Sequence, residues 1–218
     1  MSKMTVTDLK NLNTITFLPG DGEKVNSWKY ELEYNSGIQK VLQAPISSLL
    51  IIPQASPDHS AGFTYERNAV VYDYLFANAF MQQNSSCKNS IAGFSSGAIS
   101  SYAIASTVGK DIYDTVVSVN GYMRTQDVTT DIDALKDKEI IMIEAAGDSL
   151  LQKATASLKE MHDRGFKNVT IVTSDANFAK RAQSYGYKVE YRPGDAKFKN
   201  HVSGWYIVQN SSILEYLG

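Results

Sequence analysis

Cysteine is almost missing from this chain. Of 218 residues only Cys87 is one, so no intrachain disulfide can staple the fold and stability must come from a buried core. An excess of either charge is missing too: 21 Lys and Arg stand against 23 Asp and Glu, a net charge of −2, and no stretch gathers the basic residues into a stripe. A nucleic-acid or anionic-membrane partner therefore has no electrostatic footprint. No apolar run approaches the roughly 20 residues that span a bilayer, and the opening Met-Ser-Lys-Met-Thr-Val lacks the apolar centre of a secretory signal. A soluble protein in the reducing cytoplasm is the expectation. Three scattered histidines and one cysteine make no metal-ligand cluster, and no glycine-rich loop ends in Lys-Ser or Lys-Thr, so neither a metal nor a cofactor is implied. Repeats, low-complexity tracts and linker-like stretches are absent as well. Residues 1–218 read as a single domain.

What the chain does have is alternation. Residues 14–18 (Thr-Ile-Thr-Phe-Leu) read as a buried strand closed by Pro19-Gly20-Asp21-Gly22, and residues 48–52 as a second buried strand closed by Pro53. Between residues 65 and 77 the helical spacing of Val70, Val71, Tyr74 and Leu75 predicts a helix with that face on the sheet. Further strands are expected at 114–119, 139–144, 168–173 and 187–191. Helices are expected after residue 95, after Asp148 and near 176–185, and the tail 205–217 also reads as helical. Unbroken apolar strands separated by helices predict an α/β protein with a mostly parallel sheet covered on both faces. In such sheets the chemistry gathers at the C-terminal ends of the strands.

One strand end is spelled unusually. An apolar run beginning at Ser90-Ile91-Ala92 leads into Gly93-Phe94-Ser95-Ser96-Gly97, followed by small residues suited to the first turns of a helix. This is G-x-S-x-G between a strand and a helix, the nucleophile elbow pattern, and it singles out Ser95. The reason for the spelling is steric. A sharp strand-to-helix turn forces the serine into strained backbone geometry, and the glycines two places either side let neighbouring chain pass closely. A serine hydroxyl is a poor nucleophile unless a base takes its proton during attack, so a histidine is required nearby.

On these residues the chain resembles the α/β-hydrolase superfamily, and within it compact bacterial esterases of the feruloyl-esterase and depolymerase-like kind. The resemblance runs from about Thr14 to the C-terminus and implies a three-layer α/β-hydrolase fold without a large cap domain. It implies Ser95 as nucleophile and His201, which follows the last expected strand, as base. His162 reads instead as a solvated helix position, and His59 lies upstream of the elbow. For the acid two aspartates stand open. Asp148 resembles the family's glycine-then-acid loop, whereas Asp175 is nearer in sequence to His201; the ordinary alternative for each is a helix N-cap. The extra strand and helix before residue 187 depart from the simplest family pattern. The oxyanion donors implied are the backbone N–H of Ser96 and, from the turn after the first strand, that of Asp21, with Pro19 where the family carries histidine.

The activity implied is that of a carboxylesterase acting without a cofactor on a small-molecule or polymer-borne ester, with no nucleic-acid or membrane partner. Thioesterase, peptidase and acyltransferase readings share the same site. A non-catalytic binding or structural module on the same fold is the alternative outside enzymes. The segment 122–138 occupies the usual place of a cap and is too short and too polar to form one, so an open site is expected.

Overall fold

Parallel strands cannot be joined by a tight turn and need a crossover of a dozen or more residues. The chain spaces its apolar runs accordingly. A computed structural model describes residues 12–20, 48–53, 70–75, 87–124, 131–193 and 200–201. Among these residues seven strands form one sheet: β1 (Thr14–Leu18), β2 (Leu49–Ile51), β3 (Asn89–Phe94), β4 (Thr115–Val119), β5 (Glu139–Glu144), β6 (Val169–Thr173) and β7 (Lys188–Tyr191). Their spatial order is β2-β1-β3-β4-β5-β6-β7, and all neighbouring pairs are parallel. Three helices accompany them, α1 (Ser96–Ser106), α2 (Leu151–Asp163) and α3 (Ala176–Ser184), with a 3-10 turn at Ile132–Leu135 and helical residues 70–75.

Alternation along the strands splits the core in two. Ile91, Val116, Ile140, Met142 and Ile171 face one side, where they meet Tyr102 of α1, Leu158 of α2, Phe178 of α3 and Tyr74. Ile15, Phe17, Val117, Ile141, Ile143 and Val172 face the other and are buried as well. Two-sided burial is why the middle strands read as unbroken apolar runs. Burial fades toward the sheet edges. β2, expected to be buried, is only half-buried: among the described residues it pairs with β1 alone, and β7 at the far edge is partly exposed. On residues 70–75, Val70, Val71 and Tyr74 are buried as expected, whereas Leu75 is 45% exposed and lies off the packed face. The tail 205–217 lies outside the described residues.

β1 decides where a site can form. The next strand, β2, lies on one side of β1 and the following one, β3, on the other, so the chain reverses its direction of winding between them. In open parallel sheets the C-terminal edge at such a reversal is where binding sites form. Ser95 immediately follows β3, and Pro19-Gly20 immediately follow β1.

Candidate active site

Ser95 sits at φ 55° and ψ −117°, a conformation that L-residues avoid, held between β3 and α1. Such strain is worth on the order of 1–3 kcal/mol and persists only where the surroundings impose it. Two glycines make the geometry possible. A Cβ on Gly93 would lie 2.2 Å from the Gly97 carbonyl oxygen, and a Cβ on Gly97 would lie 2.0 Å from that of Leu18. The elbow thus closes on itself and presses against the end of β1. Ser95 N–H donates to the Val119 carbonyl at 3.0 Å, and the Ser95 carbonyl accepts from Ile99 N–H in the first turn of α1. Although Ser95 occupies the N-cap position, its hydroxyl makes no capping bond. It is free for another partner.

That partner is His201. Its Nε2 lies 2.8 Å from Ser95 Oγ, and its Nδ1 lies 2.9 Å from Asp148 Oδ2. The imidazole also packs against the Phe94 ring, with centroids 5.0 Å apart. The Asp148 side chain is 0% exposed and that of His201 31%, so the chain of bonds runs from the interior to the surface. Burying a carboxylate requires partners for both oxygens; Asp148 Oδ1 accepts from Leu150 N–H at 2.6 Å, leaving Oδ2 for the imidazole. Since a carboxylate only accepts, the ring proton belongs on Nδ1, and Nε2 is the acceptor facing the serine hydroxyl.

Asp175, the other aspartate, is occupied elsewhere. Its Oδ1 accepts from the N–H groups of Asn177 and Phe178 at 2.9 and 2.8 Å and caps α3, the ordinary role of an aspartate before a helix. His162 is exposed near the end of α2 and stacks on Tyr185, with centroids 4.1 Å apart. His59 and Asp21 lie outside the described residues.

Ser96 opens α1, where the first N–H groups of a helix have no intrahelical acceptor and the helix dipole presents its positive end. Gly20 borders the same spot: a Cβ there would lie 3.3 Å from Ser95 Cβ. From Gly97 to Ser106 α1 is buried on every side, so the donor end of the helix is anchored in the core.

Two buried side chains beside this chain of bonds escaped the sequence reading. Glu144, the last residue of β5, is fully buried; among the described residues neither carboxylate oxygen reaches a donor at good hydrogen-bond geometry, and the backbone N–H of Gly121 is the donor beside it. Burial, and after it the charge of Asp148, pushes its carboxyl well above the usual carboxylate range. Asn120, just after β4, is fully buried at φ 47°. Neither belongs to a motif; an acidic residue closing the apolar run of β5 was the one available signal. Among the described residues no group of His, Cys, Asp and Glu could hold a metal ion, and no helix is long and apolar enough to cross a membrane.

No protein-family model and no curated protein matches this sequence. Solved structures do. The chain is similar to Zea mays acyl-protein thioesterase 2 at a TM-score of 0.55 and 12% identity, over 95% of this chain and 93% of that one. It is also similar to a fungal esterase from Rhizomucor miehei at a TM-score of 0.53 and 14% identity, over 97% of this chain and 75% of that one. Identity this low speaks for the fold alone. With the parallel sheet and its helical crossovers, these matches establish the three-layer α/β-hydrolase fold.

Proposed function

We propose that this protein is a serine hydrolase that cleaves carboxylic esters through an acyl-enzyme on Ser95. The observation carrying the reading is the continuous hydrogen-bond chain from Asp148 through His201 to Ser95 Oγ, on a serine held in strained backbone geometry whose hydroxyl has no structural duty. His201 Nε2 takes the hydroxyl proton as Oγ attacks the acyl carbonyl, and Asp148 keeps the imidazole in the required tautomer and stabilises its positive charge. The oxyanion is received by Ser96 N–H and by the turn after β1, with Asp21 N–H as second donor; each such donor is worth roughly 10²- to 10³-fold in rate. His201 then protonates the departing alcohol. Water repeats the sequence on the acyl-enzyme and frees the acid.

The substrate class proposed is a short, water-soluble acyl ester or an acyl group borne on a polymer or carrier, with no nucleic-acid or membrane partner. The similar structures are named for an acyl-protein thioesterase and for esterases, and a thioester is the second acyl donor that the same steps accommodate. A fluorophosphonate probe should label the purified protein, p-nitrophenyl acetate should be hydrolysed, and Ser95→Ala should abolish both. Folded wild-type protein that neither labels nor hydrolyses would put a non-catalytic module in place of the enzyme.

A further inference from the structure

The three side chains of the site come from loops after three different strands: Ser95 after β3, Asp148 after β5 and His201 beyond β7. Strands stand about 4.8 Å apart, so His201, which meets Ser95 at the end of β3, stands four strands, roughly 19 Å, from the edge strand β7 that precedes it. Something must hold His201 at that place. The end of β4 is placed to do so, because it lies between β3 and β5 in the sheet.

Residues 119–121 touch all three loops while contributing none of the three side chains. Val119 accepts from Ser95 N–H, and Gly121 is packed so tightly against α1 that a Cβ there would lie 2.4 Å from Ala98 Cβ. Between them, Asn120 joins the other two loops. Its backbone N–H donates to Ile143 and its Oδ1 accepts from Ala145 N–H at 2.9 Å, at the start of the loop that carries Asp148. Its Nδ2 donates to the His201 carbonyl at 2.5 Å. A primary amide is the group that accepts and donates on one short stem, and asparagine is among the few non-glycine residues at ease at positive φ. Serine carries a shorter single hydroxyl, and aspartate lacks the donor.

We propose that Asn120 is the positioning residue of this site: its amide ties the His201 backbone to the Asp148 loop, so that the imidazole reaches the carboxylate and the serine together. The proposal rests on the Ser95 hydrolase reading for its kinetic readout only. Displacing a catalytic group by about 1 Å can reduce turnover on the order of 10²-fold.

Two full-length variants test it. Asn120→Gly keeps positive φ and removes the amide; Asn120→Asp keeps the acceptor for Ala145 N–H and removes the donor to His201. Both are compared with wild type for kcat and KM on p-nitrophenyl acetate, for folding by circular dichroism, and for the far-downfield proton resonance of His201 Nδ1–H hydrogen-bonded to Asp148. The expected result for both is a fall in kcat of roughly 100-fold with KM within about threefold, and loss or broadening of the resonance. Should Asn120→Gly fail to fold, Asn120→Asp carries the same readouts. Wild-type kcat within twofold and an unchanged resonance in a folded variant would overturn the proposal, even with a lower melting temperature. If the folded wild type neither labels nor hydrolyses, the hydrolase reading falls and the resonance alone decides: its persistence in the variants counts against the role of Asn120, and its loss counts for it.

Discussion

Asp148 and Asp175 are the same side chain in similar settings, just past a strand and just before a helix, and the backbone makes different demands on them. Asp175 gives one oxygen to two N–H groups of α3, whereas Asp148 satisfies Leu150 N–H with one oxygen and His201 with the other. Asp148→Asn should therefore lower turnover by about 10³- to 10⁴-fold, since an amide facing Nδ1 favours the wrong tautomer. Asp175→Asn should leave turnover within about threefold, and Asp175→Ala should destabilise the fold by about 1 kcal/mol. Steady-state kinetics and thermal melts of the three variants check this; a crippling Asp175→Asn would reverse the assignment. Glu144 offers a pH test at the same scale. Its folded carboxyl titrates above the ordinary 4.5, so below that value folded and unfolded chains are both protonated there. As pH rises past it the unfolded chain ionises first, and the folded state loses stability until the folded carboxyl titrates too. Glu144→Gln has no such proton to retain. Its melting temperature relative to wild type should climb with pH above 4.5 and then level; a difference constant across pH would show that the carboxyl does not titrate this way.

At the scale of elements, the elbow and α1 behave as one body. A methyl on Gly97 would meet the carbonyls of Leu18 and Pro19 at 2.0 and 2.5 Å, and two backbones cannot both give way cheaply. Gly97→Ala should destabilise by about 2 kcal/mol or more, roughly 4–8 °C in melting temperature for a chain of this size, and slow fluorophosphonate labelling by displacing Ser95 and the N-terminal end of α1. A variant that melts and labels like wild type would mean that this close approach has been misjudged. The interior strands were legible because both their faces are buried, leaving unbroken apolar runs such as that of β5. The edges were less so: β2 carries the same apolar letters as an interior strand, and only its position in the sheet makes it half-exposed. α1 carries no polar stripe because it is buried on every side. Its small residues are what allow that.

At the scale of the whole molecule, the question is whether anything covers the site. The described parts of segment 122–138 turn inward: Met123, Ile132 and Leu135 join the core cluster, and Met123 is held by Ser157 Oγ through both its N–H and its carbonyl. These residues have no apolar face left for a lid. Activity should accordingly favour short-acyl soluble esters, with no jump in rate as a long-chain triglyceride passes its solubility limit. A clear jump in such a titration would require a lid from the loop 53–65, most of which lies outside the described residues. The sequence alone determined the alternation of strands and helices, the glycine-flanked elbow at Ser95 and the α/β class, because each is written within a few neighbouring residues as periodicity, turn chemistry or steric need. Only the tertiary structure decided that His201 meets Asp148, 53 residues away, that Asp175 caps a helix, and that Asn120 and Glu144 lie buried beside the site. Those outcomes depend on which strand ends lie side by side, and strand order is settled by packing across the whole sheet.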